Sequence, residues 1–408
     1  MNDIYTFIEN GLSEYKSLHV ADFSDEILEI CKNLNSLLNN FSGDDYIVYL
    51  ENNDYEIQQN IRYLFELLSD KLYLDLSVVF NLLYKYQEQG RIDKDTYRDH
   101  YYHSIQCFLL GLTLYAYISL LGFSNEKGKD MEKKNLTAFL FSTFLYHDLG
   151  YLYFRKGNDS ERINETIKSW LIDIQPCGNK EKNKDVLRIE KIFCKKFEDP
   201  IVYFSSRKEE LKNIWNNCYN YTDLCILEEK FNIHNKPNDV EKHHSFESAV
   251  LLYRFIRTKD LFINSSEIQL PPGSLDVFVN EEKEQFLETI RTILFHDFTM
   301  NSKISLKDEF FACLLMLVDE IQNYGRPYQN EIYNNKIVLP NKVGVEKTCD
   351  GKLDLVKDED YVKSLDEVSQ KAYAKYDTSE VYNVLLNKIE KKDLDSIFGV
   401  ENYFGDLI

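Results

Sequence analysis

The stretch from Leu136 to Tyr153, LTAFLFSTFLYHDLGYLY, decides the fold: a helix-length block, apolar on nearly all sides, that ends in a histidine, an aspartate and a glycine. A helix with no polar face belongs at the centre of a helical domain. Gly150 is placed to end it, which leaves His147 and Asp148 at its C-terminal edge. The competing reading is a membrane span, but His147 and Asp148 would be costly in lipid. A second apolar stretch, Cys107 to Phe123, is short of the ~20 residues a span needs. Both are read as buried core helices, and no membrane contact is expected.

Outward from that block, the chain toward the N-terminus is amphipathic. From Tyr5 to Gln87 apolar residues recur at three and four, as in Ile27, Cys31, Leu34 and Leu38, and Pro is absent from the first 175 residues. That spacing predicts successive amphipathic helices. On the other side, Asn158 to Asn238 carries Lys and Asn clusters around amphipathic pieces and reads as a helical insertion that folds over the core as a lid or side lobe. Helices resume at Glu241 to Arg257, Glu281 to Phe295 and Leu306 to Tyr324, where Gly325 and Pro327 stop the last one. Asn335 to Val356 alternates apolar and polar residues around Asp350-Gly351, a favoured hairpin pair, and charged helices follow from Asp358. The fold class is therefore all-α. Residues 1–90 form an N-terminal helical region, 91–330 a core interrupted by an insertion at 158–240, and 331–408 a small hairpin plus helices.

The 408 residues, 44% of them hydrophobic, suffice for a sizeable core. Forty-eight Lys and Arg against 68 Asp and Glu leave a net charge of −20, which repels nucleic-acid backbones and anionic membranes. Nucleic-acid duplexes are thereby disfavoured as partners. An anionic small molecule would have to be held locally, by a metal ion or a few Arg and Lys side chains. Eight cysteines without a CxxC pair argue against a disulfide framework or a thiolate zinc site. The opening MNDIYTFIENG has two acids and no basic region ahead of an apolar core, so no signal peptide is expected and the cytoplasm fits best.

Most of the eight histidines fall at helix positions among apolar residues, and their placement is the main chemical clue. His100 and His103 stand three apart in RDHYYHSIQCFLLG, on one helical face. His147 precedes Asp148, His243 and His244 open KHHSFESAVLL, His296 lies in IRTILFHDF, and Asp319 closes FFACLLMLVD. A buried imidazole or carboxylate needs a partner, and five apolar helices each offering one suggest a shared partner. A metal centre of His and Asp ligands, without Cys, supplies it. Manganese, iron, cobalt, nickel, zinc and magnesium all remain open, as one ion or two.

The order His, His-Asp, His, His, Asp resembles the HD superfamily of metal-dependent phosphohydrolases. His103-Ser104 is similar to its first motif, His147-Asp148-Leu149-Gly150 to its namesake, His244 with Ser248 and Ala249 to its middle helix, and Asp319 to its closing motif. The resemblance covers roughly Arg98 to Pro327. It implies that His103, His147, Asp148 and Asp319 bind one metal, and that Asp148, the catalytic residue, bridges to a second held by His244 and His296. Two cations about 4 Å apart can clamp a phosphate and generate hydroxide near neutral pH. His100 and His243 are read as residues that face substrate or support the ligands. Arg326 is either a phosphate contact or a charge at a helix C-terminus.

Two departures from the family pattern narrow the expectation. Tyr151 stands where many members have Lys, so that phosphate contact is either missing or supplied by Arg155, Lys156 or Arg326. The extended signature of cyclic-di-GMP phosphodiesterases is absent, since Asp297 and Phe298 follow His296. The expected activity is hydrolysis of a nucleotide or another small phosphate ester, in a monomer or a homo-oligomer. The alternatives are a diiron oxygenase on the same fold and a nucleotide-sensing regulatory protein.

Overall fold

In the first helix, α1 (Ile4–Ser17), Phe7, Ile8, Gly11, Leu12 and Tyr15 recur at three and four and form its buried face. The next helix, α2 (Asp25–Asn39), repeats the device with Ile27, Ile30, Cys31, Leu34 and Leu38. Its start is marked twice over. Ser24 Oγ accepts the Ile27 N–H at 3.2 Å, and Asp25 and Glu26 place negative charge where the helix dipole favours it.

The computed structural model describes residues 4–18, 20–39, 46–73, 76–93, 100–123, 135–153, 244–245, 248–249, 251–252, 276–296, 303–324, 343–348, 351–357 and 378–399. Further helices in chain order are α3 (Tyr46–Leu67), α4 (Ser77–Asp93), α5 (His100–Leu120), α6 (Leu136–Tyr146), α7 (Asp276–His296), α8 (Phe310–Tyr324), α9 (Thr378–Lys388) and α10 (Lys391–Ile397). Residues 244–245, 248–249 and 251–252 are helical as well. The described residues are thus all-α apart from one antiparallel hairpin, β1 (Val343–Lys347) with β2 (Leu353–Lys357), which pairs Val345 with Leu355. Its turn needs Gly351, whose φ of +87° lies in the left-handed region. The expected insertion at 158–240 lies outside the described residues, as do His243 and Arg326.

The chain forms two compact units. The first comprises Met1–Lys71, Gly90–Leu145 and Phe298–Ile408, and the second Leu72–Gln89 and Tyr146–Asp297. In the first unit α5 is the axis, with every residue from His100 to Ile118 buried, and both α1 and α8 pack against it. Two glycines permit close approach. A Cβ on Gly11 would stand 2.1 Å from Thr113 Cγ2, and one on Gly111 would stand 2.2 Å from Phe144 Cε2. Helix α8 packs in turn on α9, and the Ile304–Ile389 bridge with the bond from Leu306 N–H to Asp393 Oδ2 at 2.8 Å ties the C-terminal helices to the segment before α8. In the second unit the Tyr73 and Phe286 rings meet at 5.7 Å.

Boundaries differ from the sequence reading at α5 and α8, and α7 begins at Asp276 rather than Glu281. The apolar run from Cys107 is too short to span a bilayer, but the helix begins at His100 and its 21 residues pass the length test. Burial of 89% of its apolar window inside the protein is what makes it a core helix. Helix α8 starts at Phe310, because Ser305 gathers residues 305–309 into turns: its Oγ and carbonyl accept the N–H groups of Asp308 and Glu309 at 3.2 and 3.0 Å.

Candidate metal centre

Helical spacing assembles one set of candidate ligands within the first unit. On α5, His103, Gln106 and Cys107 fall three and four apart, and on α8, Asp319 and Gln322 fall three apart, so each set shares a face. The two faces meet. His103 Nε2 lies 3.0 Å from Asp319 Oδ1, and His103 Nδ1 lies 2.5 Å from Gln322 Oε1. Cys107 Sγ lies 3.5 Å from His103 Nε2. His103 and Cys107 are fully buried, which removes the water that would otherwise solvate these donors.

One ligand atom from each of His103, Cys107, His147 and Asp319 lies within 4.8 Å of the others, all four residues being buried. This group could hold a metal ion. Cys107 corrects the expectation of a set without cysteine. The signal was present in the sequence, as a histidine and a cysteine one helical turn apart, but a search for CxxC pairs passes over it. Nitrogen, oxygen and sulfur donors about 2.0–2.3 Å from one ion at tetrahedral angles stand roughly 3.3–3.6 Å apart. The His103–Cys107 separation matches that edge and the His103–Asp319 separation is slightly shorter. The donor set therefore fits a metal ion.

The second unit carries its own constellation. Helix α6 stops at Tyr146, four residues before Gly150, so that His147 and Asp148 occupy a turn and Gly150 falls inside the 3₁₀ segment, Leu149–Tyr153, that follows. Ser248 pins this turn: its hydroxyl accepts the Gly150 N–H at 2.7 Å and lies 2.6 and 2.9 Å from the carbonyls of His147 and His244. Asp148 Oδ1 then stands 3.4 Å from His147 Nε2 and 3.5 Å from His244 Nε2. His244 Nε2 faces His296 Nε2 at 3.2 Å. His296 Nδ1 lies 2.6 Å from the Ile293 carbonyl, which can only accept, so Nδ1 carries the proton and the Nε2 lone pair points at His244. Two imidazole nitrogens and a buried carboxylate are thus gathered within 3.5 Å of their neighbours. The Tyr151 ring, at the position where Lys was looked for, stacks on His244 at 4.7 Å and 19° and orients its imidazole.

Of the sequence-predicted residues, His103, His147 and Asp319 belong to the four-residue group, while Asp148, His244 and His296 gather in the second unit with His147. His100, the first residue of α5, is buried and stands outside the four-residue group. His243 and Arg326, like Arg155 and Lys156, lie outside the described residues. Gln322 and Gln106, which belong to the set of the first unit, were not singled out from the sequence. Comparison with protein-family models, curated proteins and solved structures gives no match to this chain.

Proposed function

We propose that this protein is a metal-dependent phosphohydrolase of the HD type, acting in the cytoplasm on a nucleotide or another small phosphate ester. The observation that carries the reading is the buried His103, Cys107, His147 and Asp319 group, three of whose members stand in the motif order of that superfamily. The net charge of −20 makes local positive charge a requirement for any phosphate ligand.

In this reading His103, His147 and Asp319, joined by Cys107, hold one divalent ion, while Asp148, His244 and His296 hold a second. Bound there, such cations would supply charge to clamp a phosphate and would lower the pKa of a water toward neutrality. The chain's own residues do the positioning. Ser248 locks the turn that presents His147 and Asp148, and the Ile293 carbonyl keeps the His296 lone pair directed inward. The Tyr151 ring keeps the His244 imidazole from turning.

The test is to load the purified protein with manganese, iron, cobalt, zinc or magnesium, measure metal per chain, and screen each sample against nucleoside phosphates, cyclic nucleotides and generic phosphate esters. Turnover with one or two ions per chain is expected. His244→Ala and His296→Ala should each reduce two ions to about one and slow hydrolysis, whereas unchanged metal with a lowered melting temperature would reject the second site.

A further inference from the structure

Side chains of the first unit form one directional chain of hydrogen bonds that ends on His103. Asn35 Nδ2 donates to the Tyr5 carbonyl at 2.9 Å, and Asn39 Nδ2 donates to Asn35 Oδ1 at 3.0 Å. Gln106 Nε2 donates to Asn39 Oδ1 at 3.1 Å, and Gln322 Nε2 to Gln106 Oε1 at 2.5 Å. Gln322 Oε1 then faces His103 Nδ1 at 2.5 Å. The relay runs through α1, α2, α5 and α8.

A primary amide donates only from nitrogen and accepts only at oxygen, so its orientation within such a chain has two settings. The far end removes the choice. A backbone carbonyl can only accept, which obliges Asn35 to turn its nitrogen to Tyr5 and its oxygen to Asn39. The same constraint passes to Asn39, Gln106 and Gln322 in turn. Reversing one amide sets like atoms against like on both sides, and reversing all of them sets Asn35 Oδ1 against the Tyr5 carbonyl oxygen. Each such mismatch in a buried place costs about 1–3 kcal/mol. Asn35 and Gln106 are buried, so bulk water does not relieve it.

We propose that this relay is a positioning device that holds a proton on His103 Nδ1 and thereby leaves Nε2, which lies 3.0 Å from Asp319 Oδ1, as the ring nitrogen available to a metal. Gln322, Gln106, Asn39 and Asn35 are its positioning residues. Carbonyl or carboxylate acceptors behind a ligating imidazole do this work at many metal sites. Here the acceptor is an amide, which could turn over, and the Tyr5 carbonyl 2.9 Å from Asn35 is what prevents it. The consequence for metal binding rests on the metal-site reading above. The place of the proton does not.

The experiment is ¹⁵N NMR of the full chain labelled at histidine ring nitrogens, with His103 identified by its absence in His103→Gln, on metal-free and zinc-loaded samples. Nδ1 is expected to carry a proton in both. Gln322→Met, of similar length and without a hydrogen-bonding group, should lose that preference and bind zinc 10- to 100-fold more weakly. Gln322→Glu, which keeps the acceptor, should restore the Nδ1 proton and most of the affinity. Gln106→Met cuts the relay one link further from His103 and should give a mixed proton distribution, because the Gln322 amide is then able to turn over. Wild-type His103 with a bare Nδ1 overturns the proposal without recourse to any variant. A Gln106→Met ring pattern identical to wild type overturns the relay by confining the effect to Gln322. Failure of zinc to bind while Nδ1 keeps its proton would instead sink the metal reading and leave the relay standing.

Discussion

At Cys107 a single side chain alters the chemistry expected of the site. Its Sγ stands 3.5 Å from His103 Nε2 in the buried group, so the set is mixed nitrogen, oxygen and sulfur rather than nitrogen and oxygen alone. If the thiolate is a ligand, the cobalt-loaded protein will show thiolate-to-cobalt charge-transfer absorption, and Cys107→Ser will lose that band while keeping its helical circular dichroism. An unchanged cobalt spectrum in the serine variant would mean that the sulfur only neighbours the site. Asp148 makes the complementary case, since its Oδ1 lies within 3.5 Å of both His147 and His244 nitrogens. Asp148→Ala is expected to lower metal content and hydrolysis together with the fold intact. Full metal content in that variant would refute its place among the ligands.

Among elements, α5 and α6 were the most legible, because an apolar block with no polar face has one place to go in a helical protein. Their mutual distance was not legible. Gly111 sets it: a Cβ there would meet the buried Phe144 ring at 2.2 Å, and the ring must shift to admit it. Gly111→Ala should therefore destabilise by about 1–3 kcal/mol through overpacking, against the gain that alanine normally brings to a helix. Urea unfolding reads the sign directly.

The start of α6 is capped from a distance, which no local sequence signal announces. Asp22 Oδ1 and Oδ2 accept the N–H groups of Thr137 and Ala138 at 3.1 and 3.0 Å. Burial raises the Asp22 carboxyl pKa from its ordinary 3.8, and these two hydrogen bonds only partly offset the rise. A carboxyl raised in the folded state lends stability that is complete below the ordinary aspartate range and is lost as pH rises through the folded value. The unfolding free energy of the wild type relative to Asp22→Asn should accordingly decline as pH rises from about 3.8. A difference that stays constant with pH would remove this account.

For the molecule as a whole, a buried site filled by an ion couples binding to stability. A metal held only by the folded chain stabilises it by mass action, about 2.7 kcal/mol at a free concentration 100-fold above Kd. Chelation should then lower the melting temperature reversibly, and re-addition of zinc or cobalt should restore it. A melting curve indifferent to chelator, in a sample whose metal has been shown to leave, would count against a metal integral to the fold.

Composition and periodicity alone determined that the described residues are mostly helical, that the blocks around His103 and His147 lie in the core, and that a hairpin turns at Gly351. These follow from short-range physics: spacing at three and four, the absence of a polar face, and the backbone freedom of glycine. The order of histidines and aspartates also pointed to a metal. What only the tertiary structure decided is which atoms meet. Cys107 joined the group because helical geometry places it one turn from His103 and α8 brings Asp319 to the same face. The sense of the Asn35 to Gln322 relay came from one backbone carbonyl on α1, and Tyr151 became a support for His244. Such contacts join residues up to 219 positions apart, as His103 and Gln322 are. No local propensity encodes them, because they exist only once burial has brought the helices together and left each polar group to find its partner.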